Sequence, residues 1–424
     1  MTTLESGLMT TLDHDAAAVT SRRLRSQEDV EAHIRAICFK TGPPARVGAE
    51  LEWTLHHAAA PDAPLDAATV RHALGRHAPA VLDPTNDPPD PLPGDARLTM
   101  EPGGQLEISS APAASLAELH TAVSAGLGHL TALLGAAGLA LGAHGIDPHR
   151  PPRRLLHTPR YAAMERVFDA RGRDGRTMMC STAGLQVCLD AGPAGEIPLR
   201  WRAVHEAGPP LIALFANSRR HAGRDTGLAS ARMAAWWAMD RRLTHPPVGP
   251  PGDPAATWAR YALAAPLLCL RRDGECWDPP PGLTLCDWVH GALPSAPTAD
   301  DVDYHLSTLF PPVRPRGYLE VRYLDCQPGA DWIVPVAVVA ALLADKPAAE
   351  AVLEVTAPVA GRWPEAYRLG LADRPLRRAA EALAHLALSR LDPALPGAVR
   401  EHVIATVHRR LRDATATSAA EEPR

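Results

Sequence analysis

Five glutamates stand at positions where strand spacing would turn their carboxylates toward one side of a sheet. Glu50 and Glu52 lie two residues apart in RVGAELEWTL, a segment in which apolar residues occupy every second position. Because successive side chains of a strand point to opposite faces, both carboxylates are predicted on the same face. Three further glutamates lie in or beside two other strand-like segments: Glu101, Glu107 and Glu320. If these strands pair, the five carboxylates would crowd one face of a sheet.

Such a group of carboxylates favours metal and phosphate chemistry. Like charges repel one another, so a positive partner must offset them. Mg²⁺ prefers oxygen ligands and usually binds a few carboxylates together with substrate phosphates. Arg322 follows Glu320 by two residues in YLEVRYL and could neutralise phosphate charge from the same predicted face. The pattern indicates a Mg-nucleotide site, although the solvated face of a half-buried strand would explain any single pair such as Glu50 and Glu52.

The rest of the sequence predicts the elements that would hold these residues in place. Period-two alternation predicts strands within residues 46–55, 97–110, 185–190 and 318–324, the second of them interrupted by Pro102-Gly103-Gly104. Apolar residues at helical spacing predict helices after Ser26 and Ser115, within 199–217 and 232–242, and over most of 332–413. This mixed order of strands and helices predicts an α+β fold built on an antiparallel sheet. We expect a disordered tail over residues 1–25, a single catalytic domain over 26–413 and a polar tail over 414–424.

Composition and charge exclude several classes of protein. The 424 residues are 46% apolar and 21% charged, the usual mixture of a globular chain. The net charge of −5 shows no basic excess, so neither nucleic acid nor an acidic membrane surface is an expected partner. Seven cysteines without a CxxC motif argue against a disulfide framework or a zinc site. Without a secretory signal or a membrane-length apolar run, we expect a cytoplasmic protein; its oligomeric state is not readable, and a monomer is plausible.

Other candidate residues have an ordinary alternative explanation. Arg232 and Trp236 are four residues apart and would share a helix face, as a binding pair or as a plain helix surface. The Pro-Gly-Gly-Gln segment reads as a turn or as a phosphate cradle. Cys188 shares a predicted strand face with Gln186, where it could be reactive or inert. The residues alone leave each of these alternatives open.

Six motifs occur in order along the chain and together resemble one known family. They are GAELEW (48–53), TMEPGGQLEISSAP (99–112), LQVCLD (185–190), ALFANS (213–218), SARMAAW (230–236) and YLEVRYLD (318–325). This combination is similar to the glutamate–cysteine ligases of the plant and actinobacterial type, and the resemblance covers most of the chain. It implies a glutamine-synthetase-like ligase fold, in which a curved antiparallel sheet forms a funnel surrounded by helices.

The same resemblance implies a reaction that depends on ATP and Mg²⁺. MgATP would phosphorylate the γ-carboxylate of glutamate, and the amine of cysteine would then attack the γ-glutamyl phosphate. The products would be γ-glutamylcysteine, ADP and phosphate. In the actinobacterial branch this reaction resembles the first step of ergothioneine biosynthesis. The expected partners are therefore three small molecules, namely glutamate, cysteine and ATP.

Roles for individual residues follow from the positions that match the motifs. The resemblance implies that five carboxylates are metal ligands or their close neighbours: Glu50, Glu52, Glu101, Glu107 and Glu320. Three residues would serve the substrate, with Arg232 holding the α-carboxylate of glutamate, Trp236 lining the pocket and Gln186 facing the site. Arg322 would contact phosphate and, with Glu52, act in catalysis. The plant branch usually has Asn where Cys188 stands, and Asn217 and Ser218 could be structural or near glutamate.

Three other functions compete with this interpretation. A related ligase could join glutamate to an amine other than cysteine, because the cysteine pocket is the least readable part of the site. A protein that binds Mg-nucleotide or glutamate without catalysis would need fewer of the acidic and basic residues. A hydrolase with paired carboxylates would need only two acids, so the larger number favours a metal.

Overall fold

The computed structural model describes residues 22–82, 88–247, 249 and 252–421 of the chain. The strands in the described part are β1 Val47–Trp53, β2 Leu55–His57, β3 Arg97–Met100, β4 Leu106–Ser109, β5 Leu139–Leu141, β6 Gly184–Asp190, β7 Arg220–His221, β8 Arg224–Asp225, β9 Val313–Pro315 and β10 Tyr318–Asp325. The α-helices are α1 Gln27–Cys38, α2 Ala67–Leu74, α3 Leu116–Ala136, α4 Pro159–Asp169, α5 Asp174–Ser181, α6 Ile197–Glu206, α7 Gly208–Phe215, α8 Ala231–Ala238, α9 Arg241–Thr244, α10 Pro254–Ala264, α11 Leu285–Asp287, α12 Ala299–Leu306, α13 Ile333–Leu342, α14 Lys346–Thr356, α15 Trp363–Leu369, α16 Arg374–Leu388 and α17 Gly397–Glu421. The chain therefore mixes helices and strands, and the predicted α+β class is confirmed.

Six of the strands form one antiparallel sheet in the order β3-β4-β1-β6-β10-β9. In the register, Glu50 lies opposite Ser109 on one side and Gln186 on the other, and Glu52 lies opposite Glu107. The sheet has separate edges at β3 and β9, so it is not closed into a barrel. The carboxylate-bearing strands therefore lie in one sheet, which is the condition that the sequence left open.

The two faces of the sheet differ in chemistry, as the alternation predicts. One face carries apolar side chains of β1, β4, β6 and β10, such as Leu51, Ile108, Val187 and Val321, all at most 2% exposed. They join the main hydrophobic core together with apolar residues of α3, α7 and α13. Burial of each such side chain contributes about 1.5–3 kcal/mol. A one-residue slip would turn these residues outward, so the core fixes the register and hence the opposite, polar face.

A second hydrophobic cluster packs helices α1, α4, α5, α8, α10 and α12 against one another. It includes Trp236 of α8, which also contacts residues of the polar sheet face. Ser26 caps α1 and Ser115 caps α3, as the sequence predicts, each accepting a hydrogen bond from a backbone N–H of the first turn. The polar face is therefore bounded by helices that carry side chains toward it.

The termini differ in detail from the expected boundaries. Residues 1–21 of the expected tail lie outside the described part of the chain, but Leu24 is fully buried and its N–H donates to the Pro297 carbonyl at 2.8 Å. Helix α17 continues to Glu421, beyond the expected boundary at 413. Among the described residues, no helix combines the length and the apolar character that a membrane crossing requires.

Candidate functional site

Four carboxylates lie together on the polar face, and we call them the acidic cluster: Glu50, Glu52, Glu101 and Glu107. Glu50 and Glu52 come from β1 and Glu107 from the adjacent β4. Glu101 follows β3, and its N–H still donates to the Gln105 carbonyl at 2.8 Å across the hairpin. The structure thus brings together four of the five glutamates that the sequence predicts to share a face.

Burial and the neighbouring carboxylates raise the pKa of Glu50, Glu101 and Glu107. Burial, reinforced by Glu101 and Glu52, raises the pKa of Glu107 to about 8, although Ser109 and Thr99 each donate to it at 3.0 Å. Burial and the charge of Glu52 raise the pKa of Glu101 to about 7. Because these groups resist ionisation as they stand, the cluster lacks positive charge.

Glu50 shares this shortage of positive charge. Burial, together with Glu320 and Glu107, raises its pKa to about 8. Glu52 differs because its carboxylate accepts from the Gly184 N–H at 2.6 Å and from the Gln186 amide at 2.9 Å. The amide of Gln186 thus orients Glu52 from the neighbouring strand. The predicted orientation of Gln186 toward the site is consistent with this contact.

The Pro-Gly-Gly-Gln segment is a structural turn that positions Glu101. A side chain at Gly103 would overlap the Cys180 carbonyl, so only glycine allows the turn to pack against α5. Gln105 is buried, and its amide donates to the Thr182 carbonyl at 2.9 Å. Gly104 has a φ of +93°, which also favours glycine. The turn therefore holds the β3–β4 hairpin against the helix that precedes β6.

Glu320 lies on the same face but in a different environment from the acidic cluster. Its carboxylate accepts from Arg314 Nε at 2.7 Å, from Arg316 at 3.2 Å and from Arg322 at 2.7 Å. Burial alone would raise the pKa of Glu320, but the three arginines lower it well below its usual range. We call Glu320 and these arginines the arginine cluster. Both Glu320 oxygens already accept hydrogen bonds from these arginines.

Arg232, Trp236 and Arg322 stack on one another above the sheet. The guanidinium carbons of Arg232 and Arg322 lie 4.9 and 5.6 Å from the centre of the Trp236 ring. Both are within the range of cation–π attraction. Arg232 is 1% exposed, and its Nη2 donates to the Arg322 carbonyl at 2.8 Å. Arg322 also donates to the Gln186 side chain. The structure therefore brings together the predicted substrate residues and the predicted phosphate contact.

This stack carries buried N–H groups without an acceptor. Within the described part of the chain, Nε of Arg232, Nε of Arg322 and Nε1 of Trp236 are buried and have no hydrogen-bond partner. A buried donor without a partner costs about 1–3 kcal/mol. A carboxylate or phosphate group in the site would supply acceptors for donors of this kind. The two guanidinium donors are the cationic counterpart of the acidic cluster, and the indole N–H of Trp236 adds a neutral donor beside them.

Several residues near the site escape prediction from the sequence. Arg314 and Arg316 belong to β9 and its turn, a segment without alternation. Arg160, at the start of α4, donates to the Ser307 hydroxyl at 3.0 Å and lies over the ring of Tyr304. Its charge lowers the pKa of Glu101, against the larger effect of burial. The one sequence signal for these residues is that they lie in arginine-rich segments. Because arginine is common throughout this chain, that signal does not distinguish them from other arginines.

Two open questions from the sequence receive an answer. Burial, together with Glu50 and Glu320, raises the pKa of the Cys188 thiol well above its usual value. A thiol that stays protonated is a poor nucleophile, so the inert alternative is favoured. The Asn217 N–H and the Ser218 hydroxyl both donate to Asp325, at 2.8 and 2.7 Å. Their role is therefore contact with a carboxylate at the end of β10.

No metal-binding arrangement is preformed in the described residues, where no three His, Cys, Asp or Glu side chains are placed to hold one ion. The metal roles of the five glutamates therefore stay predictions. The contacts separate them into two kinds. Glu50, Glu101 and Glu107 are short of positive charge, whereas Glu320 already has three cationic partners. We assign Glu320 to the arginine cluster for this reason.

The chain is similar in sequence to a family of known proteins. Residues 46–419 match the model of glutamate-cysteine ligase family 2 (GCS2). The chain is 39% identical over 386 residues to the glutamate–cysteine ligase EgtA of Mycolicibacterium smegmatis, covering 89% of this chain and 87% of the relative. It is 37% identical to EgtA of Mycobacterium tuberculosis, covering 92% and 89%. The chloroplastic glutamate–cysteine ligase of Brassica juncea is more distant, at 30% identity over 62% of this chain and 53% of the relative. The chain belongs to glutamate-cysteine ligase family 2.

Proposed function

We propose that this protein joins L-glutamate to L-cysteine in an ATP-dependent reaction that yields γ-glutamylcysteine, ADP and phosphate. The observation that carries the proposal is the division of one sheet face into two parts. One part is an acidic cluster that lacks positive charge, and the other offers buried cationic donors without acceptors. MgATP and glutamate have the complementary charges. Membership of the family and the likeness to the EgtA proteins support the same reaction, and with it a role at the start of ergothioneine synthesis.

The acidic cluster fits Mg²⁺ by its donor set. All four side chains offer oxygen, which Mg²⁺ prefers, and three of them have raised pKa values that a divalent cation would reverse. We therefore propose that Glu50, Glu52, Glu101 and Glu107 hold the metal with the nucleotide phosphates. When bound, Mg²⁺ would neutralise charge on the phosphates during transfer. Glu320 is left out because its oxygens already accept from three arginines.

The basic part of the face would bind and orient the anionic groups of the substrates. Arg232 would use its free Nε to hold the α-carboxylate of glutamate, with the Trp236 ring packed against it. Arg322 would direct its own free Nε toward the transferring phosphoryl group, while Gln186 and Glu320 accept hydrogen bonds from its Nη1. A cation held in place before the reaction stabilises the charge that develops without reorganising.

The chemical sequence follows from the weakness of a carboxylate as an electrophile. Transfer of the γ-phosphoryl group of ATP to the γ-carboxylate of glutamate makes an acyl phosphate, with ADP as the first product. The amine of cysteine then attacks the acyl carbon, phosphate leaves, and the amine loses a proton. The residues listed above contribute mainly positioning and charge neutralisation, which dominate catalysis of phosphoryl transfer.

The reaction is tested by measuring phosphate release from MgATP with glutamate and cysteine, omitting each in turn, and by identifying the product by mass. Release that requires both amino acids and yields γ-glutamylcysteine is the expected result. Release with glutamate that cysteine does not enhance would refute the cysteine assignment and direct a screen of other amines. Absence of release under every combination would favour binding without catalysis.

Glu52→Gln tests the acidic cluster in the same assay. The amide keeps the shape of the side chain but removes the charge, so turnover should fall by more than ~100-fold while the protein still folds. Glu350→Gln is the matched control, because Glu350 is 52% exposed and pairs only with Lys346 at 3.7 Å in the described structure. Wild-type turnover of Glu52→Gln with unaltered Mg²⁺ dependence would remove Glu52 from the metal site.

Arg232→Ala tests the glutamate assignment. It should raise the glutamate KM, or lower kcat/KM for glutamate, by ~100-fold or more while the ATP dependence changes little. A glutamate dependence equal to that of the wild type would exclude Arg232 from the substrate contact.

A further inference from the structure

Asp325, the last residue of β10, is a buried carboxylate that the proposed reaction leaves without a role. It is 2% exposed and lies opposite Gly184 in the sheet. One oxygen accepts from the Asn217 N–H at 2.8 Å and the Ser218 hydroxyl at 2.7 Å. The other accepts from the Ser230 hydroxyl at 2.9 Å. Three motifs that are distant in sequence therefore meet at this one side chain.

The two serines connect Asp325 to the start of α8. Ser230 caps this helix, and its oxygen also accepts from the Met233 N–H at 3.1 Å. The Ser218 oxygen accepts from the backbone N–H of Arg232 at 3.2 Å. Each hydroxyl thus donates its only proton to Asp325 and accepts from a backbone N–H of α8. The position of the helix that carries Arg232 therefore depends on the Asp325 carboxylate.

Asp325 also acts on the Arg232 side chain directly. The Nη1 atom of Arg232 lies 3.8 Å from the nearer Asp325 oxygen, and both side chains are 1% exposed. On the other side, Nη2 donates to the Arg322 carbonyl at 2.8 Å. A methyl group at Gly184 would overlap this Nη2 atom, so glycine leaves the space that the guanidinium occupies. The guanidinium is thus fixed from three directions, and Nε is left without a partner.

We propose that Asp325 is a positioning residue, which orients Arg232 toward the α-carboxylate of glutamate through Ser218, Ser230 and its own charge. The inference rests on the proposed contact between Arg232 and glutamate. The hydroxyls of Ser218 and Ser230 would then help to orient the substrate, in addition to the capping of α8 by Ser230. A carboxylate is needed because the group must accept three hydrogen bonds and balance a buried guanidinium at the same time.

Asp325→Asn tests the proposal by separating substrate effects. The amide keeps the shape but loses the charge and one acceptor oxygen, so the Arg232 guanidinium should shift. We expect the glutamate KM to rise by ~10- to 100-fold, since displacement of a positioning group by about 1 Å has effects of this size. The ATP KM should stay within about 2-fold of the wild type. If Asp325 served stability alone, Asp325→Asn would lower the melting temperature without raising the glutamate KM relative to the ATP KM.

A second variant covers the case in which Asp325→Asn does not fold. Ser230→Ala removes one hydrogen bond to Asp325 together with the cap of α8, and Ser230→Thr should restore both. Ser115→Ala is the matched control, because Ser115 caps α3 in the same way without contact to Asp325. Ser115→Ala should lose about 1 kcal/mol of stability with its cap, and Ser230→Ala should lose more because it also removes the buried hydrogen bond to Asp325. Only Ser230→Ala should raise the glutamate KM.

Combination with Arg232→Ala distinguishes failure of this inference from failure of the proposed function. If Asp325 acts through Arg232, Asp325→Asn should change the glutamate KM less than about 2-fold when Arg232 is already alanine. A raised glutamate KM in Arg232→Ala, together with wild-type values in Asp325→Asn and Ser230→Ala, would overturn the positioning role alone. A wild-type glutamate KM in Arg232→Ala would overturn both assignments.

Discussion

Replacement of Glu320 by glutamine tests whether this carboxylate anchors arginines or binds metal. Its side chain is fully buried and accepts from three arginines that are at most 19% exposed. The amide would remove the negative charge and turn an NH₂ group toward guanidinium donors. Loss of one partner from a buried ion pair costs about 3–5 kcal/mol because it leaves uncompensated charge. For a chain of this length that corresponds to a fall of about 3–6 °C in melting temperature.

The assay is thermal unfolding of Glu320→Gln with and without Mg²⁺. We expect the same loss in both conditions, since the arginines are unbalanced whether or not a metal is bound. Glu350→Gln is again the control, because its exposed pair with Lys346 should contribute at most about 1 kcal/mol. Unfolding of Glu320→Gln at the wild-type temperature without Mg²⁺, with a loss confined to the Mg²⁺-containing sample, would refute the anchor role and restore Glu320 as a metal ligand.

The remaining predictions concern the two parts of the polar face. Gly184→Ala should cost about 1–3 kcal/mol by overpacking against Arg232 and raise the glutamate KM, checked by thermal unfolding and kinetics. Glu50→Gln should raise the melting temperature of the Mg-free protein at about pH 8.5 while abolishing turnover, because it removes a repelling carboxylate. Since the folded protein keeps protons on Glu50, Glu101 and Glu107 up to about pH 7–8, its unfolding free energy without Mg²⁺ should fall as the pH rises from about 4.5 to about 8. Mg²⁺ competes with those protons, so the rise in melting temperature that it causes should be larger at pH 8.5 than at pH 6.

The acidic cluster could be predicted from the sequence because it depends on strand periodicity. Glu50 and Glu52 alternate with residues of a buried face, and the β3–β4 hairpin is marked by its glycines. Alternation fixes which way a side chain points, and burial of the opposite face fixes the register between strands. Those two facts predict which face each glutamate occupies, whereas the strand pairing that sets Glu107 opposite Glu52 is seen only in the structure.

The arginine cluster could not be predicted in this way. Strand β9 has three residues, one of them proline, in a segment that gives no alternation signal. Its residue Arg314 enters the site because β9 pairs with β10 at the sheet edge, where it lies opposite Glu320. Proline argues against a strand in the centre of a sheet, but edge strands tolerate it, so Pro315 is compatible with β9. The sequence therefore places Arg322 beside Glu320 but does not identify Arg314 and Arg316 as its other partners.

An irregularity in β10 explains why Asp325 was also missed. The register shifts between Val321 and Leu324, so that Arg322 and Tyr323 together face one residue of β6. Strict alternation would place Asp325 with Leu319 and Val321, on the apolar face. The extra residue reverses the alternation, and Asp325 instead lies opposite Gly184, on the polar side. Bulges of this kind redirect side chains near active sites and have no reliable signature in a single sequence.

The bulge and the arginine cluster together account for the division of charge across the polar face. Three arginines surround one glutamate in the arginine cluster, so positive charge remains in excess there after Glu320 is paired. Glu320 holds those arginines at the β9–β10 edge, and its charge contributes, after burial, to the raised pKa of Glu50. By holding them there, Glu320 keeps the positive part of the face apart from the acidic cluster. The stable separation of opposite charges on a rigid sheet is what leaves one part in need of a cation and the other in need of an anion.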